Sequence, residues 1–293
     1  MTAVRTYYGR PVIKQPVWTL EIPWYFFSGG MAGAAATLAA LARGKGNERL
    51  ADAAGRVALA GVLVSPPLLV SDLGRPDRFH HMLRVFKPTS PMSVGSWILA
   101  VFAPTAGGAA VLSALRWCPR LARIAEVIGG ALGPLMSTYT AVLIANTAVP
   151  AWHEARKELP WVFAGGSAAS AGAATLLLVD AEEGAPARRL AVLGTVCELV
   201  AAELMERRLG ELGEPYRIGT AGRLSKLATY TSVVGAGLLG LLGRRRGVAA
   251  IGAALVLAGA AAQRWAVFKA GFASAQDPKY TVKPQRERVN ACR

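Results

Sequence analysis

The sequence predicts an all-α integral membrane protein of eight transmembrane helices, and three observations carry that prediction. Of 293 residues, 53% are hydrophobic and only 17% are charged, against a charged share of roughly 25% in soluble proteins. The mean hydropathy is +0.35. The apolar residues gather into eight runs, most of them close to the roughly 20 residues that a helix needs to cross a hydrocarbon core.

The first run, 20–42, follows an arm without the basic start, apolar stretch and small-residue cleavage site of a removable signal, so it reads as an uncleaved span. The others lie at 50–70, 93–115, 121–148, 159–179, 190–204, 224–242 and 248–268. An even number of crossings puts both chain ends on one side. Small residues recur at packing spacing, as in Gly29, Gly30 and Gly33, or Gly129, Gly130 and Gly133. Lipid gives apolar side chains no reason to leave it, so close backbone approach is what holds such helices together. Pro66, Pro67, Pro104 and Pro134 fall within or near span ends. Each removes an N–H and frees a carbonyl, which inside a membrane calls for a neighbouring side chain or a polar cavity.

The formal net charge of +15 sits in short clusters between apolar runs. That pattern fits anionic lipid and excludes the continuous basic stripe of a nucleic-acid binder. Counting Lys and Arg near the span ends gives about 20 on the side of the termini and about 12 on the other, which favours cytoplasmic termini in the cell inner membrane. Cys118, Cys197 and Cys292 are too few and too scattered for an iron–sulfur cluster, which takes four ligands. His80, His81 and His153 lie outside the spans or at their ends, which excludes a bis-histidine haem within the bundle. No metal-binding, P-loop or nucleophile-elbow spacing occurs.

The chemistry left to the chain belongs to polar groups in or beside spans: Glu21, Asp72, Tyr139, Asn146, Asp180, Glu198 and Glu203. A charge at mid-membrane costs about 2.5–3.5 kcal/mol on insertion scales, so such groups face a cavity, a partner or a proton path. Asp72 ends the second span before Leu73-Gly74-Arg75-Pro76, and Arg75 or Arg78 is its expected ion-pair partner. Tyr139 is placed a little inside the membrane on the side of Glu21 and Asp72. Glu198 and Glu203, five residues apart, point about 140° from each other. Glu198, with uncharged flanks, is the better proton relay of the two.

Between the second and third spans lies DLGRPDRFHHMLRVFKPTSPMSVGSW, with apolar residues at roughly helical spacing among the charges. Segment 76–86 is expected to lie in the interface plane, apolar side down.

This stretch resembles the hallmark segment of the NrfD/polysulfide-reductase membrane-subunit family. WYFFSGGMAGAAA, YTAVLIANTAVPAW and RWAVFKAGFASAQDPKYTVKPQ are similar to other blocks of that family, and together they reach from residue 24 to residue 285. The resemblance implies an eight-helix, haem-free, quinone-reactive subunit built as two four-helix bundles. The layout is then an arm at 1–18, a first bundle at 19–158 with the quinone pocket and the interfacial segment 74–86, a second bundle at 159–270 and a tail at 271–293.

The implied cofactor is menaquinone or ubiquinone. The implied partners are a ferredoxin-like subunit with several 4Fe–4S clusters and a molybdopterin catalytic subunit holding molybdenum or tungsten. Carried over by position, Tyr139 stands near the quinone head group, and Asp72 with Arg75 at the pocket rim. Where some relatives have Asn or His on the first helix, this chain offers Glu21. The expected roles are quinone binding for Tyr139, Glu21, Asp72 and Arg75, proton exchange for Asp72 and Glu198, and partner docking for Arg78, Arg84 and Lys87.

Two other readings use the same residues. A proton or ion transporter would carry charge on Asp72, Glu198 and Glu203, with the Pro66-Pro67 break near its binding site. A passive anchor would only tether a soluble oxidoreductase.

Overall fold

The computed structural model describes residues 12–180 and 182–291. The beginning of the arm and Cys292 therefore lie outside the described residues. Among these described residues, eight long helices stand where the eight apolar runs were read: α1 Glu21–Gly44, α2 Glu48–Ser71, α3 Pro91–Ala114, α4 Pro119–Ala145, α6 Leu159–Leu176, α7 Ala185–Leu209, α9 Gly219–Leu242 and α10 Arg246–Gln276. Shorter helices α5 Pro150–Glu154, α8 Glu214–Arg217 and α11 Lys279–Ala291 join or follow them. At about 1.5 Å per residue, the 24 residues of α1 extend about 36 Å.

Among the described residues, α1, α2, α3, α4, α9 and α10 are long and apolar enough to cross a membrane. Two expected spans are not in that set, for visible reasons. α6 has 18 residues, many of them Gly, Ala and Ser, and α7 carries charges at both ends and Glu198 between them.

Local signals set the helix starts. Asn47 caps α2 by accepting from Leu50 N at 3.1 Å, and Ser90 caps α3 by accepting from Ser93 N. Pro91 and Pro119 occupy the first turns of α3 and α4, where no N–H is needed. α10 runs past the boundary expected at 270 because Ala270, Gly271, Ser274 and Ala275 are still buried.

α1 packs on α2 and α4, and α3 lies against both of those. α6 packs on α7 and α10, with α9 against α10 and α7, and contacts of α6 with α1 and α4 join the two sets. Where Pro134 gives no N–H to Gly130 O, the Thr37 hydroxyl of α1 donates to that carbonyl at 2.9 Å. Ser137 Oγ donates to Gly30 O in the same seam. The outer sides of α3 and α9 leave Val101, Val111, Val233 and Leu241 exposed, as lipid-facing surfaces do.

Opposite ends of the fold differ. Where α1 ends, Arg43 Nε donates to both oxygens of buried Glu126 at 2.9 and 2.8 Å, and its guanidinium also pairs with Glu48 and Asp52. Where α1 begins, the ends of α2, α4 and α10 converge on an aromatic cluster, with Trp18 stacked on Trp152 at 5.5 Å.

Candidate functional site

At that aromatic end, α1, α2, α3 and α4 enclose a cavity whose lining includes Trp18, Tyr25, Asp72, Gly95, Ser96 and Tyr139. Tyr25 comes from the first turns of α1 and Tyr139 from the last turns of α4. Their rings meet edge to face with centroids 6.5 Å apart. Tyr25 is 1% exposed, and its hydroxyl has no hydrogen-bond partner among the described residues. An unpartnered buried hydroxyl costs about 1–3 kcal/mol, so this one marks a place where a bound group or ordered water belongs.

Gly95 of α3 is what admits the Tyr139 ring, since a Cβ there would collide with its Cε2 and Cδ2 atoms. Asp72, at the end of α2, reaches back to the start of α1. Its Oδ1 accepts from Thr19 N at 2.8 Å and from Thr19 Oγ1 at 2.6 Å. The expected pairing of Asp72 with Arg75 or Arg78 does not occur. The turn through Gly74 and Pro76 carries both arginines outward, and Arg78 lies 3.9 Å from Asp77 instead.

The segment after α2 is a 3-10 helix, Pro76–Leu83, in place of the longer helical stretch to 86, with Pro76 opening it. Its Phe79, Met82 and Leu83 close one side of an apolar groove between α2 and α3, whose walls include Val70, Leu99 and Pro104. The groove shares Leu69, Leu73, Met82 and Ser96 with the tyrosine cavity. The two adjoin along these four residues, the cavity polar at Asp72, Tyr25 and Tyr139 and the groove apolar toward Pro104.

Tyr139 and Asp72 thus line one cavity. Glu21, the first residue of α1, is partly exposed beside it and is absent from its lining, and Arg75 is exposed outside it. Arg78, Arg84 and Lys87 are exposed on the outer surface of the same end. Glu198 lies elsewhere: it is 2% exposed in the middle of α7, with Oε1 3.6 Å from Arg264 Nη1 of α10. Glu203 faces outward and pairs with Arg207, as the angle between the two glutamates requires.

Sequence reasoning passed over two residues. Tyr25 enters the sequence reading only inside the block WYFFSGGMAGAAA, although it stands one turn after Glu21 on the face that meets Tyr139. Arg264 was counted inside an apolar run, yet an arginine within a span is itself a signal of a buried polar site.

The cavity thus sets a buried donor without a partner, a second tyrosine and a carboxylate beside an apolar groove. A family model described as NrfD_2, polysulfide reductase, matches residues 4–276. No curated protein matches the chain.

Proposed function

From the premise that this multi-pass membrane chain belongs to the NrfD/polysulfide-reductase family of redox-complex subunits, we propose that it exchanges electrons between an iron–sulfur partner subunit and the membrane quinone pool. The observation that carries the reading is the buried Tyr25 hydroxyl, unpartnered, in a cavity shared with Tyr139 and Asp72. In this reading all eight long helices cross the inner membrane as two four-helix bundles, with α1–α4 as the first.

Menaquinone or ubiquinone supplies two-electron, two-proton redox chemistry when bound. The chain's part is to bind, orient and exchange protons. The Tyr25 and Tyr139 hydroxyls would hold the head group as donors to its carbonyl oxygens, and the surrounding apolar side chains would keep bulk water out. Asp72 holds the start of α1 through Thr19 and serves as the acid–base group at the rim. Glu21, just outside, is the next carboxylate on the way to solvent. Arg75, Arg78, Arg84 and Lys87 form a basic surface for a ferredoxin-like iron–sulfur subunit, which in turn meets a molybdopterin catalytic subunit.

Mild-detergent purification of the tagged chain, followed by assay of iron, acid-labile sulfide, molybdenum or tungsten, and extractable quinone, tests the proposal. Metal-bearing partners together with bound quinone are expected. A complex that retains its metals and takes up no quinone, with turnover indifferent to Tyr25 and Tyr139, would leave only the anchor.

A further inference from the structure

The second set of helices contains a polar site that the quinone reading does not use. A cleft of about 470 Å³ between α7 and α9 leads from Glu203, Glu206 and Arg207 at one end, past Thr229, inward to Gln263 and Glu198. Several waters fit such a volume, at roughly 30 Å³ each. On its other side Glu198 has no room. A Cβ at Gly166 of α6 would collide with Glu198 Oε1 and with the Arg264 guanidinium. The open approach to the carboxylate is therefore from the cleft.

Arg264 is 1% exposed and fixed mainly by groups other than Glu198. Its Nη2 donates to Phe163 O at 2.7 Å, and its guanidinium carbon lies 4.0 Å over the Phe163 ring. The contact to Glu198 is a looser 3.6 Å, and Oε1 accepts no hydrogen bond among the described residues. A carboxylate bonded by several donors would lose those bonds on protonation. Glu198 loses none at that oxygen. Arg264 on α10 is the charged group facing it, and Glu203, Glu206 and Arg207 stand at the mouth. The described lining residues of α6 and α9 add no titratable side chain.

We propose that Glu198 is a proton-loading site that exchanges protons with the water of the α7–α9 cleft, with Arg264 as its fixed counter-cation. A hydronium in the cleft gives up one O–H bond, an O–H bond forms on the Glu198 carboxylate, and water is left; the reverse step returns the proton. No electron moves, so the proposal stands whether or not the first cavity binds quinone.

Infrared difference spectroscopy on the purified complex, at constant redox state and varying pH, reads the site directly. A protonated-carboxyl band is expected that Glu198→Gln removes and Glu203→Gln leaves in place. Thr229→Phe, which fills the cleft and leaves Glu198 intact, is expected to slow the band's deuterium shift by tenfold or more. The proposal is overturned if the band survives Glu198→Gln, if no such band exists, or if Thr229→Phe leaves the exchange rate unchanged. The last arm decides even where Glu198→Gln fails to assemble.

Discussion

Tyr25 and Tyr139, 114 positions apart in the chain, meet edge to face at 6.5 Å with 68° between their rings. The Tyr25 hydroxyl has no partner among the described residues. Replacing it by Phe therefore removes a desolvation cost, and thermal stability is expected to hold or rise slightly. Quinone-linked turnover is expected to fall about 2- to 10-fold, the worth of one hydrogen bond. Tyr139→Phe is expected to act in the same direction. Melting curves and turnover with an iron–sulfur-side electron donor check both, and unaltered turnover in the double variant favours the passive anchor.

In the proposed function Asp72 has two separable duties. Its Oδ1 anchors Thr19, which Asn can imitate, and its charge can exchange a proton, which Asn cannot. Asp72→Asn is thus expected to keep the melting temperature and slow turnover, whereas Asp72→Ala also loses about 1 kcal/mol of stability. Equal turnover in wild type and Asn variant removes Asp72 from proton exchange.

Gly95 is the backbone counterpart of Tyr139. Gly95→Ala forces the ring aside, and overpacking of this kind costs about 1–3 kcal/mol. Turnover should drop at least as far as in Tyr139→Phe, with a shift in the tyrosine's ultraviolet resonance Raman signature. A full-activity, unshifted Ala variant contradicts the close contact.

The docking of α11 should depend on pH. Lys279 Nζ donates to Glu214 Oε2 at 2.6 Å and the Tyr280 hydroxyl to the same oxygen at 3.0 Å. These bonds, Lys279's first, hold the Glu214 carboxyl below its ordinary 4.5. The hydrogen bond with Glu214 in turn raises Lys279 above its ordinary 10.5. The depressed carboxyl contributes fully above pH 4.5 and is lost as pH falls through its lower folded value. The raised lysine contributes fully below 10.5 and is lost only at stronger alkali. A nitroxide at position 285 should show constant mobility from about pH 5 to pH 9 and loosen in stronger acid. Loosening near neutrality points to another anchor.

The long helices were legible because apolar runs must cover their backbone groups and the runs end at Asn47, Ser90, Pro91 and Pro119. The outward turn of Glu203 relative to Glu198 also followed from helix geometry alone. Partnerships between helices were not legible. Asp72 with Thr19, Glu198 with Arg264 and Arg43 with Glu126 are 53, 66 and 83 residues apart, and each depends on how far one helix slides along another. Glycine contacts such as Gly95 on Tyr139 set that register, and a glycine in the sequence does not say which ring it will receive. Tyr139 and Asp72 were reached through local motifs, whereas Tyr25 needed the facing helix to give its hydroxyl meaning.

The Trp18–Trp152 stack has a consequence for how the protein is made. Trp18 walls the tyrosine cavity, Trp152 backs it at 5.5 Å, and Trp152 Nε1 donates to Val267 O at 2.7 Å. Val267 belongs to the last long helix to leave the ribosome. Trp152 follows directly after α4, whereas the carbonyl that fixes its indole comes more than a hundred residues later. A nascent chain stalled before α10 would leave Trp152 without its acceptor and the Trp18 wall of the cavity without its brace.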